Sequence, residues 1–268
     1  TQSNPYIISK AEDLAYLAKQ VQNGNTYSSG STREYFEQTA PINLTGKIWL
    51  PIGGNSLGEA TTAFGGVYNG RGFAIIGLET YNQTDASGNQ LYNNVGLFGR
   101  TNGARLENVN ISNAKIYGKT NVSAIVGENY GKPLEMYGCF ARGEINGSTN
   151  VGGLLGQDSI TGSQISNSGF AGNVTNGSII AGTMVGGIVK NSYAEVTKDI
   201  PFVGNGATID ACVFTANGNK RYYDDKTPND GYFKGWVTYN GKPLPKGLTW
   251  IGGVEGGYFS LDGYTRVG

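Results

Sequence analysis

The chain has 268 residues, with 20 Lys and Arg set against 20 Asp and Glu, so the formal net charge is zero. Charged side chains make up 15%, well under the usual quarter. With no basic excess to neutralise phosphates, nucleic acid is not expected as a partner. Histidine is absent, which removes the usual acid/base near neutral pH and the commonest metal ligand.

The length allows a substantial buried core. No apolar run approaches membrane-spanning length, and the chain opens Thr1-Gln2-Ser3 without a hydrophobic leader. It reads as a mature or trimmed segment of an exported protein, at the cell surface, outer-membrane-anchored or extracellular, with its signal or anchor outside this segment. Asn-x-Ser/Thr sites at Asn43, Asn82, Asn110, Asn121, Asn146 and Asn173 are expected by chance in so Asn-rich a chain.

Taken in order, Pro5-Tyr6-Ile7-Ile8 predicts a short strand. Ser9 with Glu12 forms a capping-box pattern, opening an amphipathic helix over about residues 10–22. Leu14, Leu17, Ala18 and Val21 fall on one face of it, and Asn23-Gly24 stops it. A polar loop, Tyr27 to Thr32, follows. Strands are then expected at Tyr35–Gln38, Ile42–Leu44, Ile48–Gly53, Phe64–Tyr68 and Phe73–Leu78, with a turn at Asn69-Gly70-Arg71-Gly72.

From Asn94 the chain repeats itself. Asn94-Val95-Gly96-Leu97-Phe98-Gly99 returns as Asn121-Val122-Ser123-Ala124-Ile125-Val126-Gly127 and as Asn150-Val151-Gly152-Gly153-Leu154-Leu155-Gly156. The closing glycines are 28 and 29 residues apart. Met184–Val189 reads as a fourth copy and Pro201-Phe202-Val203-Gly204 as a degraded fifth. Between them runs a second phrase: Leu106-Glu107-Asn108-Val109, Met136-Tyr137-Gly138-Cys139, Ile165-Ser166-Asn167-Ser168, Val189-Lys190-Asn191-Ser192 and Ile209-Asp210-Ala211-Cys212. Ile116, Ile145, Val174 and Val196 close the unit.

One such unit has too small an apolar face to be stable alone, but stacked copies bury their faces as one continuous core. Frequent Gly and β-branched residues disfavour a helical solenoid. The fold class is therefore all-β: a parallel β-helix, or solenoid, with an N-terminal amphipathic capping helix. Val109, Cys139, Ser168, Ser192 and Cys212 are expected in one column. Two intervening coils would put the cysteines about 14 Å apart, outside disulfide reach, as free buried thiols. Lys115 and Glu144 are expected to meet across neighbouring coils.

The last fifty residues crowd aromatic side chains together. Alternation over Tyr232–Tyr239, the Asn240-Gly241 turn and the run Leu248–Ile251 predict a β-hairpin-like C-terminal cap. Residues 1–218 form the β-helix with its N-terminal cap, with repeats at about 94–206, and 219–268 form an aromatic-rich cap or small appended region. Tyr222, Tyr223, Tyr232, Trp236, Tyr239 and Trp250 either pack this cap or stack on a ligand such as a sugar ring.

The order of phrases resembles the bacterial surface and adhesin-like proteins that carry GLUG-type repeats. The likeness covers about residues 4–218. It runs from the Pro5-Tyr6 opening and its helix through Ile42-Asn43-Leu44, Trp49-Leu50-Pro51-Ile52-Gly53 and Asn94–Gly99 to the Val-Gly-Gly-Leu repeats, becoming irregular after Val189. The resemblance implies a right-handed parallel β-helix, export, and adhesion to glycan or extracellular protein partners.

Catalysis finds little footing. Glycoside hydrolysis needs paired carboxylates, and lyase chemistry a base, commonly with calcium. Lys115, Asn173 and Glu195 are read as the equivalents of Glu144, a solvated face without stacked acids. Asp224-Asp225 is an isolated doublet beside Lys226 and reads as an exposed turn. No His is present for a nucleophile triad, and the Gly-rich phrases lack the Lys of a phosphate loop. The expectation is a non-enzymatic adhesin-like scaffold with no cofactor and no metal; the alternative is a carbohydrate-active β-helix, a polysaccharide lyase or hydrolase.

Overall fold

The computed structural model describes residues 1–54, 62–210 and 212 with their side chains. Beyond them it describes strand backbone at 213–216, 219–223, 237–239, 242–244, 248–251 and 258–261. The chain winds as a parallel β-solenoid of about six turns. One eight-stranded sheet runs from Tyr6–Ile8 through Tyr35–Gln38, Val67–Asn69, Arg105–Glu107, Glu135–Tyr137, Gln164–Ser166 and Ile188–Lys190 to Thr208–Asp210. A second begins at Ile42–Asn43 and Ala74–Ile76, continues through Asn110–Tyr117, Phe140–Asn146, Gly169–Thr175 and Tyr193–Val196, and reaches Cys212–Ala216. The third side carries two narrower sheets built on Asn93–Val95 and Phe98–Thr101 and their successors.

Like residues stack as the repeat predicts. Leu106, Met136, Ile165, Val189 and Ile209 are successive register partners in the first sheet. Ile111, Ala141, Phe170 and Ala194 follow in the second. Large and small side chains alternate there, so Phe170 fills the space its alanine neighbours leave. Leu106, Ile111, Ile165 and Phe170 are fully buried, and each such side chain contributes about 1.5–3 kcal/mol.

Two residue types that recur in the phrases have steric causes. Asn94, Asn121 and Asn150 adopt left-handed φ of 56°, 60° and 51°, and Asn108, Asn167 and Asn191 do the same at 51°, 50° and 48°. Gly138 takes the equivalent place at φ 65°. Asparagine and glycine are the residues that tolerate this backbone at corners. The closing glycines answer a different need. A Cβ at Gly127 would lie 2.7 Å from the Gly99 carbonyl oxygen, and one at Gly156 would lie 2.4 Å from that of Gly127. The coils touch backbone to backbone along this column.

The predicted Cys/Ser column is present. Cys139 N–H donates to Ser168 Oγ (3.1 Å), and Ser168 N–H donates to Ser192 Oγ (3.3 Å). The serine hydroxyls turn back to the carbonyls of Ser166 and Lys190, both at 2.8 Å. Cys212 Sγ turns back to Asp210 in the same way at 3.3 Å. Both cysteines are free and buried. Burial pushes the Cys139 thiol up to about 12 and raises that of Cys212 as well.

Three registers differ from expectation. The fourth copy of the phrase is Ile179-Ile180-Ala181-Gly182, because Leu155 pairs with Ala181 and Leu154 N–H donates to Ile180 O (2.9 Å). Met184–Val189 is displaced from it: Gly186 turns a corner at φ 71°, and Ile188 pairs with Gln164. Pro201–Gly204 does hold the fifth place, through Ala181 and Val203. Glu195 faces Ala171 and Val196 faces Gly172, two places from the positions expected beside Asn173 and Val174. The Ser168-to-Ser192 coil spans 24 residues where the Cys139-to-Ser168 coil spans 29, and Glu195 and Val196 keep that 24-residue offset from Ala171 and Gly172.

The helix, Ala11–Gln22, caps the N-terminal end with Leu14, Leu17, Ala18 and Val21 buried. It starts one residue later than the sequence suggests, so Lys10 is the N-cap and Asp13, not Glu12, closes the turn. Asp13 Oδ2 accepts from Ser9 N–H (2.9 Å), Ser9 Oγ (3.0 Å) and Lys10 N–H (3.2 Å). Ile48–Gly53 forms only single bridges, at Ile48 and Ile52, while Trp49 is buried with its indole N–H on Leu97 O (3.1 Å). At the far end Asn219–Tyr223 pairs antiparallel with Cys212–Ala216 and closes the second sheet. Val237–Tyr239 pairs antiparallel with Lys242–Leu244, while Asn240 and Gly241, where a turn is expected, lie outside the described residues. Leu248–Ile251 pairs with Tyr258–Leu261 in a further hairpin.

Gly156→Ala is expected to destabilise the fold by about 1–3 kcal/mol through overpacking, read as a lower urea midpoint. Cys139 and Cys212 should ignore a water-soluble thiol reagent in the native protein and react on unfolding; fast native labelling would contradict the buried column.

Candidate functional site

The solenoid outline is broken at one corner. Later coils pass from Tyr117 to Thr120 and from Asn146 to Thr149 through two residues each, 118–119 and 147–148. The first full coil instead leaves at Thr80 and returns at Asn93. Thr80 makes the exit possible. Its hydroxyl accepts from Tyr117 N–H (2.8 Å) and donates to Tyr117 O (3.0 Å), replacing the ladder partner that the departing backbone no longer supplies.

The inserted segment folds back on itself. Thr84 and Gln90 form an antiparallel bridge, and Asp85 Oδ1 accepts from the N–H groups of Ser87 (2.8 Å) and Asn89 (2.9 Å). The Asn89 amide is the main cause holding the Asp85 carboxyl below its ordinary range. This closure brings Tyr81 and Tyr92 together, with ring centroids 5.4 Å apart and planes at 27°. Tyr81 keeps 39% of its surface exposed. Side-chain amides surround the pair: Tyr92 Oη donates to Gln83 Oε1 (2.6 Å), and Gln90 Nε2 donates to Asn82 Oδ1 (2.7 Å).

The pair stands at the head of a row. Thr80 is hydrogen-bonded to the Tyr117 backbone, so Tyr81, the next residue, leaves the ladder beside Tyr117. Tyr117, Asn146 and Thr175 are then register partners on the outward side of the second sheet. Thr175 Oγ1 donates to Asn146 Oδ1 at 3.2 Å. Two aromatic rings, a third tyrosine, an amide and a hydroxyl thus run along the solenoid axis. The length difference between residues 80–93 and the two-residue corners downstream was the signal for this site, and it emerges only once Glu79 is aligned with Lys115.

The charged rows are mixed in sign. Lys115 and Glu144 are register partners as expected, but Glu144 Oε1 accepts from Asn173 Nδ2 (2.9 Å). Arg100 Nε donates to Glu128 Oε2 at 2.6 Å while its guanidinium sits 4.1 Å over the Tyr130 ring. Asp158 has no exposed surface. Its Oδ2 accepts from Asn129 Nδ2 (3.2 Å), its Oδ1 accepts from Ile160 N–H (2.7 Å), and Thr101 Oγ1 continues the ladder to Asn129 Oδ1 (2.9 Å). Desolvation raises the Asp158 carboxyl, opposed by these bonds and one from Ser163. Among the described residues no three Cys, Asp or Glu side chains converge to hold a metal ion.

Of the aromatic residues singled out in the tail, Tyr222 and Tyr223 lie opposite Val213 and Cys212, Tyr239 opposite Lys242, and Trp250 opposite Phe259. These are backbone placements. Tyr232 and Trp236 lie outside the described residues, as do Asp224 and Asp225. Among the described residues no helix is long and apolar enough to cross a membrane.

No protein family matches the chain, and no solved structure matches it. Halomucin of Haloquadratum walsbyi (strain DSM 16790 / HBSQ001) is 29% identical over 159 residues. The matched stretch is 58% of this chain and 2% of halomucin.

Thr80→Val should cost about 1–3 kcal/mol, because two backbone groups of Tyr117 lose their partner; an unchanged urea midpoint would refute the hydroxyl's role. Asp158 gives a pH test with a fixed sign. Its folded carboxyl is raised, so above the unfolded value of about 4 the fold holds more protons than the unfolded chain, and this group's contribution falls as pH rises. The stability of Asp158→Asn relative to the parent should therefore climb with pH across that window, measured by denaturation from acid to neutral pH.

Proposed function

We propose that the chain is a non-enzymatic, surface-displayed binding scaffold, adhesin-like in the sense of the GLUG-repeat proteins it resembles. Its solenoid holds lateral side-chain rows rigid and presents them to glycan or protein partners. The observation that carries this reading is the corner at Tyr81 and Tyr92: a built projection that exposes aromatic and amide groups on an otherwise regular coil. Insertions into solenoid repeats gather on one face, often the binding face. Among the described residues Glu144 meets Asn173, Glu128 meets Arg100, Asp158 meets Asn129 and Asp85 meets Ser87 and Asn89, contacts with non-acidic partners, whereas a glycosidase divides acid and base roles between two carboxyls. The partial similarity to halomucin is compatible with display at an exported surface.

Incubation with a panel of neutral and acidic polysaccharides is expected to release no reducing or unsaturated ends, while a glycan and matrix-protein array gives retained protein. Turnover that disappears on replacing a single carboxylate would overturn this reading in favour of a lyase or hydrolase.

A further inference from the structure

We propose that the corner row of Tyr81, Tyr92, Tyr117, Asn146 and Thr175 is a binding strip for an extended, neutral polysaccharide lying along the solenoid axis. The inference rests on the binding reading above and names its ligand class and place.

Three features of the row point to this ligand. The stacked pair Tyr81/Tyr92 offers an exposed ring face, which suits the C–H face of a pyranose. Asn82, Gln83 and Gln90 beside it, with Asn146 and Thr175 further along, supply donors and acceptors of the kind that sugar hydroxyls need. The row repeats once per coil, about 4.8 Å, which is close to the length of one pyranose unit in an extended chain. A straight polymer can therefore keep its register with Tyr117, Asn146 and Thr175 over successive coils.

Charge and width narrow the choice. The flanking row reads Glu79, Lys115, Glu144, Asn173, alternating in sign and then neutral, and Lys119 lies near Asp85. This leaves no one-signed field for a polyanion. The row is a single side chain wide, whereas a stable protein partner needs a patch of roughly 800 Å² on each side. A narrow, uncharged strip with an aromatic head fits a saccharide chain.

The test is calorimetric titration of the full chain with cellohexaose, and in parallel with maltohexaose and hexagalacturonate. Three variants are compared: Tyr81→Ala, Tyr117→Ala and, as control, Tyr137→Ala, an exposed tyrosine on the first sheet. All three truncate side chains outside the core, and circular dichroism checks that each remains folded. Cellohexaose is expected to bind, the curved maltohexaose and the acidic hexagalacturonate more weakly. Tyr81→Ala and Tyr117→Ala should each weaken cellohexaose binding about tenfold, with Tyr137→Ala unchanged. The strip is overturned if cellohexaose fails to bind, if hexagalacturonate binds more tightly, or if Tyr137→Ala costs as much as Tyr81→Ala. In the last case the scaffold still binds glycan, elsewhere. Cleavage of cellohexaose during the titration would leave the strip standing as a substrate site and overturn the non-enzymatic reading instead.

Discussion

Everything in this fold depends on one close approach, the backbone contact between successive coils at the closing glycine of each repeat. The carbonyl of one closing glycine lies where the Cβ of the next would be, as at Gly99 and Gly127 and again at Gly127 and Gly156. These glycines stand within the strands Phe98–Thr101, Val126–Asn129 and Leu155–Asp158, and the second sheet meets the same limit at Gly143 and Gly172, where a Cβ would lie 2.1 Å from the Ala114 carbonyl oxygen and 2.0 Å from that of Gly143. With the coils held this close, the inward positions fall into columns, and the core becomes a set of stacked ladders.

The polar ladders obey the same geometry. Asn121 Nδ2 donates to Asn94 Oδ1 (2.8 Å) and Asn150 Nδ2 to Asn121 Oδ1 (2.9 Å), so the left-handed corner that needs asparagine also lets its amide pair with the next coil. The Cys139–Ser168–Ser192–Cys212 column uses small hydroxyl and thiol groups to satisfy buried backbone. Among the described residues the Thr101–Asn129 ladder ends on Asp158, a carboxyl without surface, and desolvation raises its titration. A local steric demand thus selects the residue type, and stacking turns the selection into a row.

The pattern is interrupted at one corner. Thr80 releases the chain from the ladder and keeps Tyr117 satisfied, so the insertion does not unravel the coil below it. The rings that meet in the insertion stand beside the Tyr117 coil because Thr80 holds the exit point against the Tyr117 backbone. A regular scaffold makes a single irregular corner precise in position.

The sequence by itself determined the solenoid, because its causes are local and repeat: asparagine or glycine at left-handed corners, glycine at the close approach, an aliphatic residue facing in at each strand. It also determined the free cysteines, since Cys139 and Cys212 occupy a position held by Ser168 and Ser192 in the coils between. Tertiary structure alone decided the register after Gly156. There the coils shorten, and the phrase at Met184–Val189 resembles the repeat in letters while Ile179–Gly182 occupies its place in space. It alone decided the corner site too. Tyr81, Tyr92 and Tyr117 share no phrase and no period in the sequence, and they come together because an insertion closes on itself and one coil lies against the next.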